Sequence, residues 1–285
     1  MDIIKETIKE LESLNVNGTL SNVIITKMRY SPWTLSYVKY DDGIDGCGLA
    51  NNELKVPDDV AFIESLLNLN VYDAIDALYN MESSVFINSL IVSTVSALSH
   101  RLMNDEDFLR KQGYEVESVI EPCPLLKFVR NTDVVVLVEY NSQDIPFLAE
   151  IAKEVNVIEP TNLGEHDVID FNAEESNMKI ISADKSEEVL SKADVVSITG
   201  ETLVNGTIDE ILQFSENART KIIYGPTSSF YPKALFERGI DASVSLVLSN
   251  TPDFKRQFVL SDGFMMNTMI FAKHLLVKRS TPNTR

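Results

Sequence analysis

The chain has 285 residues, with 43 Asp and Glu against 25 Lys and Arg, and so carries a formal charge of −18. That excess argues against a surface that grips polyphosphates or anionic lipid, so neither nucleic acid nor a membrane is expected as a partner. Hydrophobic residues make up 44% of the chain, enough for a sizeable core, and at roughly 100–200 residues per domain the length suits two domains.

The N-terminal "MDIIKETIKELESL" sets Ile4, Ile8, Leu11 and Leu14 along one helical face and lacks the apolar run of a signal peptide. Residues 20–50 then read as strands: "LSNVIITKMRY" and "WTLSYVKY" are rich in β-branched and aromatic residues, and "DDGIDGCGLANN" is crowded with turn formers. A small antiparallel meander is expected, in which Gly46 and Gly48 permit a close backbone approach. Helices follow at residues 60–69, 71–78 and 83–102. The last of these is apolar almost all round, which predicts a buried central helix. No window reaches about 18 uninterrupted apolar residues, so no membrane span is expected. Cys47 and Cys123 form no CxxC pair; free thiols in a cytoplasmic protein are expected, with Cys47 buried and inert.

After about residue 114 short apolar strands alternate with helices, the signature of a parallel sheet with crossover helices. "PCPLLKFVRNT" bridges the halves, its Pro122 and Pro124 opposing regular ladders. The strands are "DVVVLVEY" (133–140), "VNVIEP" (155–160), "MKII" from Met178, "DVVSITG" (194–200), "KIIYG" (221–225) and "DASVSLVL" (241–248). The helices are "IPFLAEIAKEV", "SEEVLSKA", "TIDEILQFSENA" and "YPKALFERG". A doubly wound, Rossmann-like order follows, with "KRSTPNTR" as a frayed tail.

Ligands of such sheets sit beyond the carboxyl ends of the strands. In "ITGETLVNGTIDEIL", Thr202, Asn205 and Gly206 form a loop of hydroxyl, amide and flexible backbone. Thr207 and Glu210 have the spacing of a capping box. A tight turn and a simple cap explain the same residues without a ligand. "YGPTSSFYPKAL" offers a second such loop at Gly225, Pro226, Thr227, Ser228 and Ser229, with Pro232 in a helical first turn. The first strand of this half ends in Glu139, where a dinucleotide fold would place the first glycine of G-x-G-x-x-G. A carboxylate there disfavours a phosphate. NAD and FAD are therefore not expected, whereas a cationic or neutral group, a diol or a metal fits.

His100, His166 and His274 have no metal-ligand spacing. His100 reads as structural and His274 as part of a tail segment. Asp41, Asp42, Asp45 and Glu139 could offer oxygens to a hard cation, although acidic turns usually face water. Activated-serine motifs are absent. Trp33 and Met265, Met266 and Met269 read as core or interface residues, and the Met-rich segment suits a homodimer contact.

"ADVVSITGETLVNGTIDEIL", "IIYGPTSSFYPKALFERGID", the "GCGLA" turn and "VFINSL" together resemble the putative heavy-metal chelation family over nearly the whole chain. The resemblance implies an α/β protein with two parts. An α+β domain like the enolase N-terminal domain would cover residues 1–118, and a Rossmann-like doubly wound parallel sheet residues 119–285. It further implies a ligand site in the cleft between them, with Asn88, Thr202, Asn205, Gly206, Thr207, Gly225, Pro226 and Thr227 as candidates; no catalytic roles carry over. Family members often carry glycine where Glu139 stands.

The expected function is that of an enzyme or binding protein for a small polar molecule in that cleft. A metal-chelating metabolite, pterin-like or siderophore-like, with or without its metal, is the leading expectation. Thr202, Asn205, Thr207 and the helix start at 207 would donate hydrogen bonds, and Glu139 would be acceptor or general base. The alternatives are a metal-binding or delivery protein using carboxylates and Cys47, and an S-adenosylmethionine-dependent methyltransferase suggested by fold analogy alone.

Overall fold

A computed structural model describes residues 2–26, 32–52, 60–121, 123–139, 144–159, 177–263 and 269–280. Pro122, His166, Met265, Met266 and residues 281–285, all discussed above, lie outside the described residues.

The amphipathic start forms α1 (Asp2–Ser13). The β-rich stretch folds into the meander β1 (Gly18–Ile25), β2 (Trp33–Tyr40) and β3 (Asp45–Asn51), antiparallel in the order β1-β2-β3. Then come α2 (Phe62–Leu66), α3 (Val71–Tyr79), α4 (Val85–Asn104) and α5 (Glu106–Lys111). Ser84 starts α4 by accepting a hydrogen bond from the Ile87 N–H at 3.2 Å, and Asp105 starts α5 by accepting from Phe108 N at 2.9 Å.

The central helix expected at residues 83–102 is α4. It is long and apolar enough to cross a bilayer by length and composition, but most of it is buried inside the protein. Its small residues face β3. A Cβ on Gly48 would fall 2.2 Å from Ala97 N and 2.3 Å from Ser93 O, and one on Gly46 would fall 2.3 Å from Ala97 O. Backbone therefore lies against backbone here, as the two glycines suggested. The buried Ser36 and Ser93 hydroxyls join at 2.7 Å, satisfying polar groups in the contact.

The second part threads β4 (Tyr114–Val119), β5 (Val134–Val138), α6 (Ile145–Ile151), β6 (Glu154–Glu159), β7 (Met178–Ser182), α7 (Ser186–Leu190), β8 (Val195–Thr199), α8 (Glu201–Asn205), α9 (Ile208–Phe214), β9 (Thr220–Gly225), α10 (Lys233–Glu237), β10 (Ala242–Leu248), α11 (Pro252–Leu260) and β11 (Ala272–Arg279). The strands form one sheet, in the order β4-β11-β10-β9-β8-β5-β6-β7 among the described residues. Pairing is parallel from β10 through β7, and β11 is antiparallel to both β10 and β4. The fold is thus α/β, with a small antiparallel sheet and a large, mostly parallel one. The strand β4, which begins before residue 118, already belongs to the large sheet.

The tail reading fails at β11. Its core, Leu275 to Val277 in the order Leu, Leu, Val, is buried, but it is flanked by Lys273, His274, Lys278 and Arg279, and those charges hide the strand in the sequence. His274 pairs with Leu246 on one side and Val119 on the other.

Strand order fixes where a ligand could enter. From β5 the chain steps outward to β6 and β7, then returns to the other side of β5 as β8 and continues to β9 and β10. The loops leaving β5 and β8 therefore diverge, and the switch point of the sheet lies between these two strands.

Candidate functional site

At the β5–β8 switch point Val138 is paired with Ile198, which sets Glu139 beside Thr199. Glu139 has φ +70°, in the left-handed region that glycine occupies cheaply and a side chain does not. Its amide donates to Ile158 O at 2.9 Å, and its carboxylate accepts from Thr199 Oγ1 at 2.6 Å and Asn205 Nδ2 at 3.4 Å. The side chain is thus held in place although its backbone is strained.

A second carboxyl meets it. Glu201 opens α8, and its pKa is raised well above the usual carboxylate range. Burial is the largest cause, followed by the negative charge of Glu139, a hydrogen bond with Glu139, and the charge of Glu159. Glu159, at the end of β6, is buried at 7% exposure. Two carboxyl groups sharing a hydrogen bond beside a third negative charge favour a proton held on Glu201. Neither Glu139 nor Glu201 forms an ion pair among the described residues.

Of the residues expected at the site, Glu139 and Asn205 touch directly. Thr207 joins them through Asn205, whose Oδ1 accepts from Thr207 N at 3.1 Å and from Thr207 Oγ1 at 2.8 Å. This replaces the capping box, because the Thr207 hydroxyl is turned to Asn205 and caps no helix N–H. The expected loop between Gly200 and Thr207 is largely the short helix α8, ended by Gly206 at φ +82°. Thr202 is fully buried and donates to Thr199 O at 2.8 Å, so its hydroxyl is no free donor.

Asn88 and Thr227 serve the seam between the two parts. Asn88 Nδ2 donates to Val204 O at 2.8 Å, and Thr227 Oγ1 accepts from Asn51 N at 3.0 Å. The two glycine-bearing loops do meet: a Cβ on Gly200 would fall 2.7 Å from Ser228 N and 2.8 Å from Thr227 Cβ. They meet by packing, with Gly225 at φ +105° and Pro226 opening the short turn Pro226–Ser228.

Thr199, Glu201 and Glu159 were missed by sequence reasoning. Glu159 and Glu201 share the signal that singled out Glu139, a carboxylate at or just past the end of an apolar strand. Elsewhere, Cys47 is buried, and burial followed by the charge of Asp45 pushes its thiol up to about 12, so the inert reading fits. His100 donates from Nε2 to Leu248 O at 2.8 Å and is kept from protonating chiefly by burial. Asp42 is paired with Arg101. No three His, Cys, Asp or Glu side chains among the described residues converge at metal-binding distance.

These features define a two-part α/β protein whose acidic pair sits at the switch point of a mostly parallel sheet. The chain belongs to the DUF364 family, described as putative heavy-metal chelation, whose profile matches residues 126–273. Two solved structures of DUF364 proteins of unknown function share its fold. One, from Pyrococcus horikoshii, has 16% identity and a TM-score of 0.71 over 98% of this chain and 100% of that one. The other, from Desulfitobacterium hafniense DCB-2, has 16% identity and a TM-score of 0.69 over 97% and 98%. No curated protein matches the sequence.

Proposed function

We propose that the protein binds a metal ion presented by a small chelating molecule, with Glu139 and Glu201 supplying its oxygen contacts at the β5–β8 switch point. The observation that carries this reading is Glu139 itself, a carboxylate kept in a strained left-handed conformation and hydrogen-bonded with a second carboxyl, with no ion pair to either among the described residues. A hard cation takes about six or more oxygen ligands, and two protein carboxyls leave most of them to be filled. A chelating metabolite, pterin-like or siderophore-like, would fill them, which also agrees with the family's description.

The metal would displace the proton on Glu201, so binding releases a proton and weakens as the pH falls through the Glu201 pKa. Calorimetry with metal-stripped protein and a panel of divalent and trivalent metals, each alone and as its pterin or catecholate chelate, tests this. The expected result is stoichiometric chelate binding with proton release, weakened about tenfold or more in Glu139→Gln and Glu201→Gln. Equal affinity in both variants would remove the pair from the site.

The same pair favours one second reading. A carboxyl that stays protonated beside another can give and take a proton, so an enzyme performing acid–base chemistry on the bound metabolite is the alternative. Turnover of the chelator, lost in Glu201→Gln while binding persists, would select it.

A further inference from the structure

A separate cleft of about 710 Å³ opens at the other end of the seam, where the end of α4 and the start of α5 face the start of β3 and the end of β10. Its walls include Tyr40, Asp45, His100, Arg101, Ser249 and Asn250, with Asp105, Glu106 and Asp107 at the start of α5. The positive charge of this region is already engaged. Arg101 is paired with Asp42 and stacked on the Tyr40 ring at 4.5 Å, and Lys273 and Arg110 are paired with Glu106.

Asp45 has no such partner. Its Oδ1 is buried without a hydrogen bond, and it forms no ion pair among the described residues. Asn250 Nδ2 donates to the Asp45 backbone carbonyl at 2.6 Å and not to the carboxylate. The groups that feel the Asp45 charge, Tyr37 and Cys47, are neutral side chains. Asp45 lines the cleft half-buried with Oδ1 enclosed, and its charge is unpaired, so a cation in the cleft would balance that charge without reaching Oδ1. His100 spends its one N–H on Leu248 O, and Asn104 Nδ2 lies 3.4 Å from its Nδ1, so the imidazole offers no free N–H to compete for the Asp45 carboxylate. Bare metal is disfavoured, because no three His, Cys, Asp or Glu side chains converge here among the described residues. Phosphates are disfavoured by four lining carboxylates. Apolar surface is on hand as well, since Ile44 lines the cleft at 61% exposure, next to Leu248.

We propose that this cleft is a second binding site, for a small organic cation bearing a protonated amine or guanidinium on a short aliphatic chain, with Asp45 as its counter-charge. The cation's N–H groups balance the Asp45 charge and its methylenes cover Ile44 and Leu248. The site is independent of the Glu139–Glu201 pair.

The test is calorimetric titration of the full chain with 1,4-diaminobutane and 4-aminobutylguanidine, with butane-1,4-diol as the uncharged control. Saturable one-to-one binding of a cation is expected, without binding of the diol. Asp45→Asn should weaken it about tenfold or more, the scale of a lost hydrogen bond to a charged group. Ser249→Trp, which fills the cleft from an exposed position, should abolish it even if Asp45→Asn misfolds. Glu201→Gln should leave it unchanged, which separates this site from the proposed metal site. Asp107→Asn, at the exposed rim, should have less than a twofold effect. Absence of cation binding, equal affinity in the Asp45 and Ser249 variants, or equal loss in the Asp107 variant, the mark of diffuse attraction to an acidic surface, would each overturn the proposal.

Discussion

Replacing Glu201 with Gln tests the shared proton directly, because Gln keeps the shape of a protonated carboxyl and cannot ionise. In the folded protein Glu201 holds its proton above the ordinary value of 4.5. Its contribution to stability is therefore fully present below about pH 4.5 and is lost as the pH rises through the folded pKa. A single group can change stability by at most about 1.4 kcal/mol per pH unit within that window. At roughly 2–4 °C per kcal/mol for a chain of this size, the slope is at most roughly 3–6 °C per unit. Thermal melts of metal-stripped wild type and Glu201→Gln, taken at intervals from pH 4 to pH 9, isolate the titration of Glu201 and the carboxylates coupled to it, since groups not coupled to Glu201 cancel in the difference. The melting temperature of the variant minus that of wild type should rise with pH above 4.5 and level off beyond the folded pKa. A difference that is flat or falling across the range would refute the shared-proton arrangement.

The close approach of β3 to α4 predicts that Gly48→Ala loses about 3 kcal/mol or more, because the new Cβ would meet backbone atoms that cannot swing aside. Gly43→Ala is the control: it has φ +82° with nothing within 4 Å, so only conformational strain of about 1 kcal/mol applies. Calorimetric melts that rank the two equally would contradict the packing argument. Asn88→Ala and Asn205→Ala should part company. The first loses the bond to Val204 O and about 1 kcal/mol of stability, with chelate affinity unchanged. The second removes the weaker of two hydrogen bonds to the Glu139 carboxylate, leaving that from Thr199, and lowers chelate affinity with little change in melting temperature. The reverse assignment in paired melts and titrations would exchange their roles.

Several features were legible in the sequence because one physical signal dominated each. The runs that became β5, β8, β9 and β10 are apolar enough to be buried on both faces, and α4 has no polar stripe. The paired glycines announced a backbone contact. What the sequence concealed depends on partners distant in the chain. The charges of β11 read as a tail because its pairing with β4 spans more than 150 positions in the sequence. The side chains of Thr202, Asn88 and Thr227 are the right types for a ligand and are consumed inside the protein instead. Glu201 was overlooked because a short helix stands where a loop was expected, and nothing local shows that its neighbour is Glu139.

The left-handed backbone at Glu139 also bears on how this protein can be engineered. Glycine at that position would relieve the strain, and so would asparagine in part, so a selection for heat resistance alone should drift toward either one. Such a selection would discard the carboxylate while every bulk indicator of quality improved. Retention of glutamate at 139 across variants chosen for performance, set against its loss in variants chosen for robustness, would measure how strongly the work of this molecule opposes its own stability.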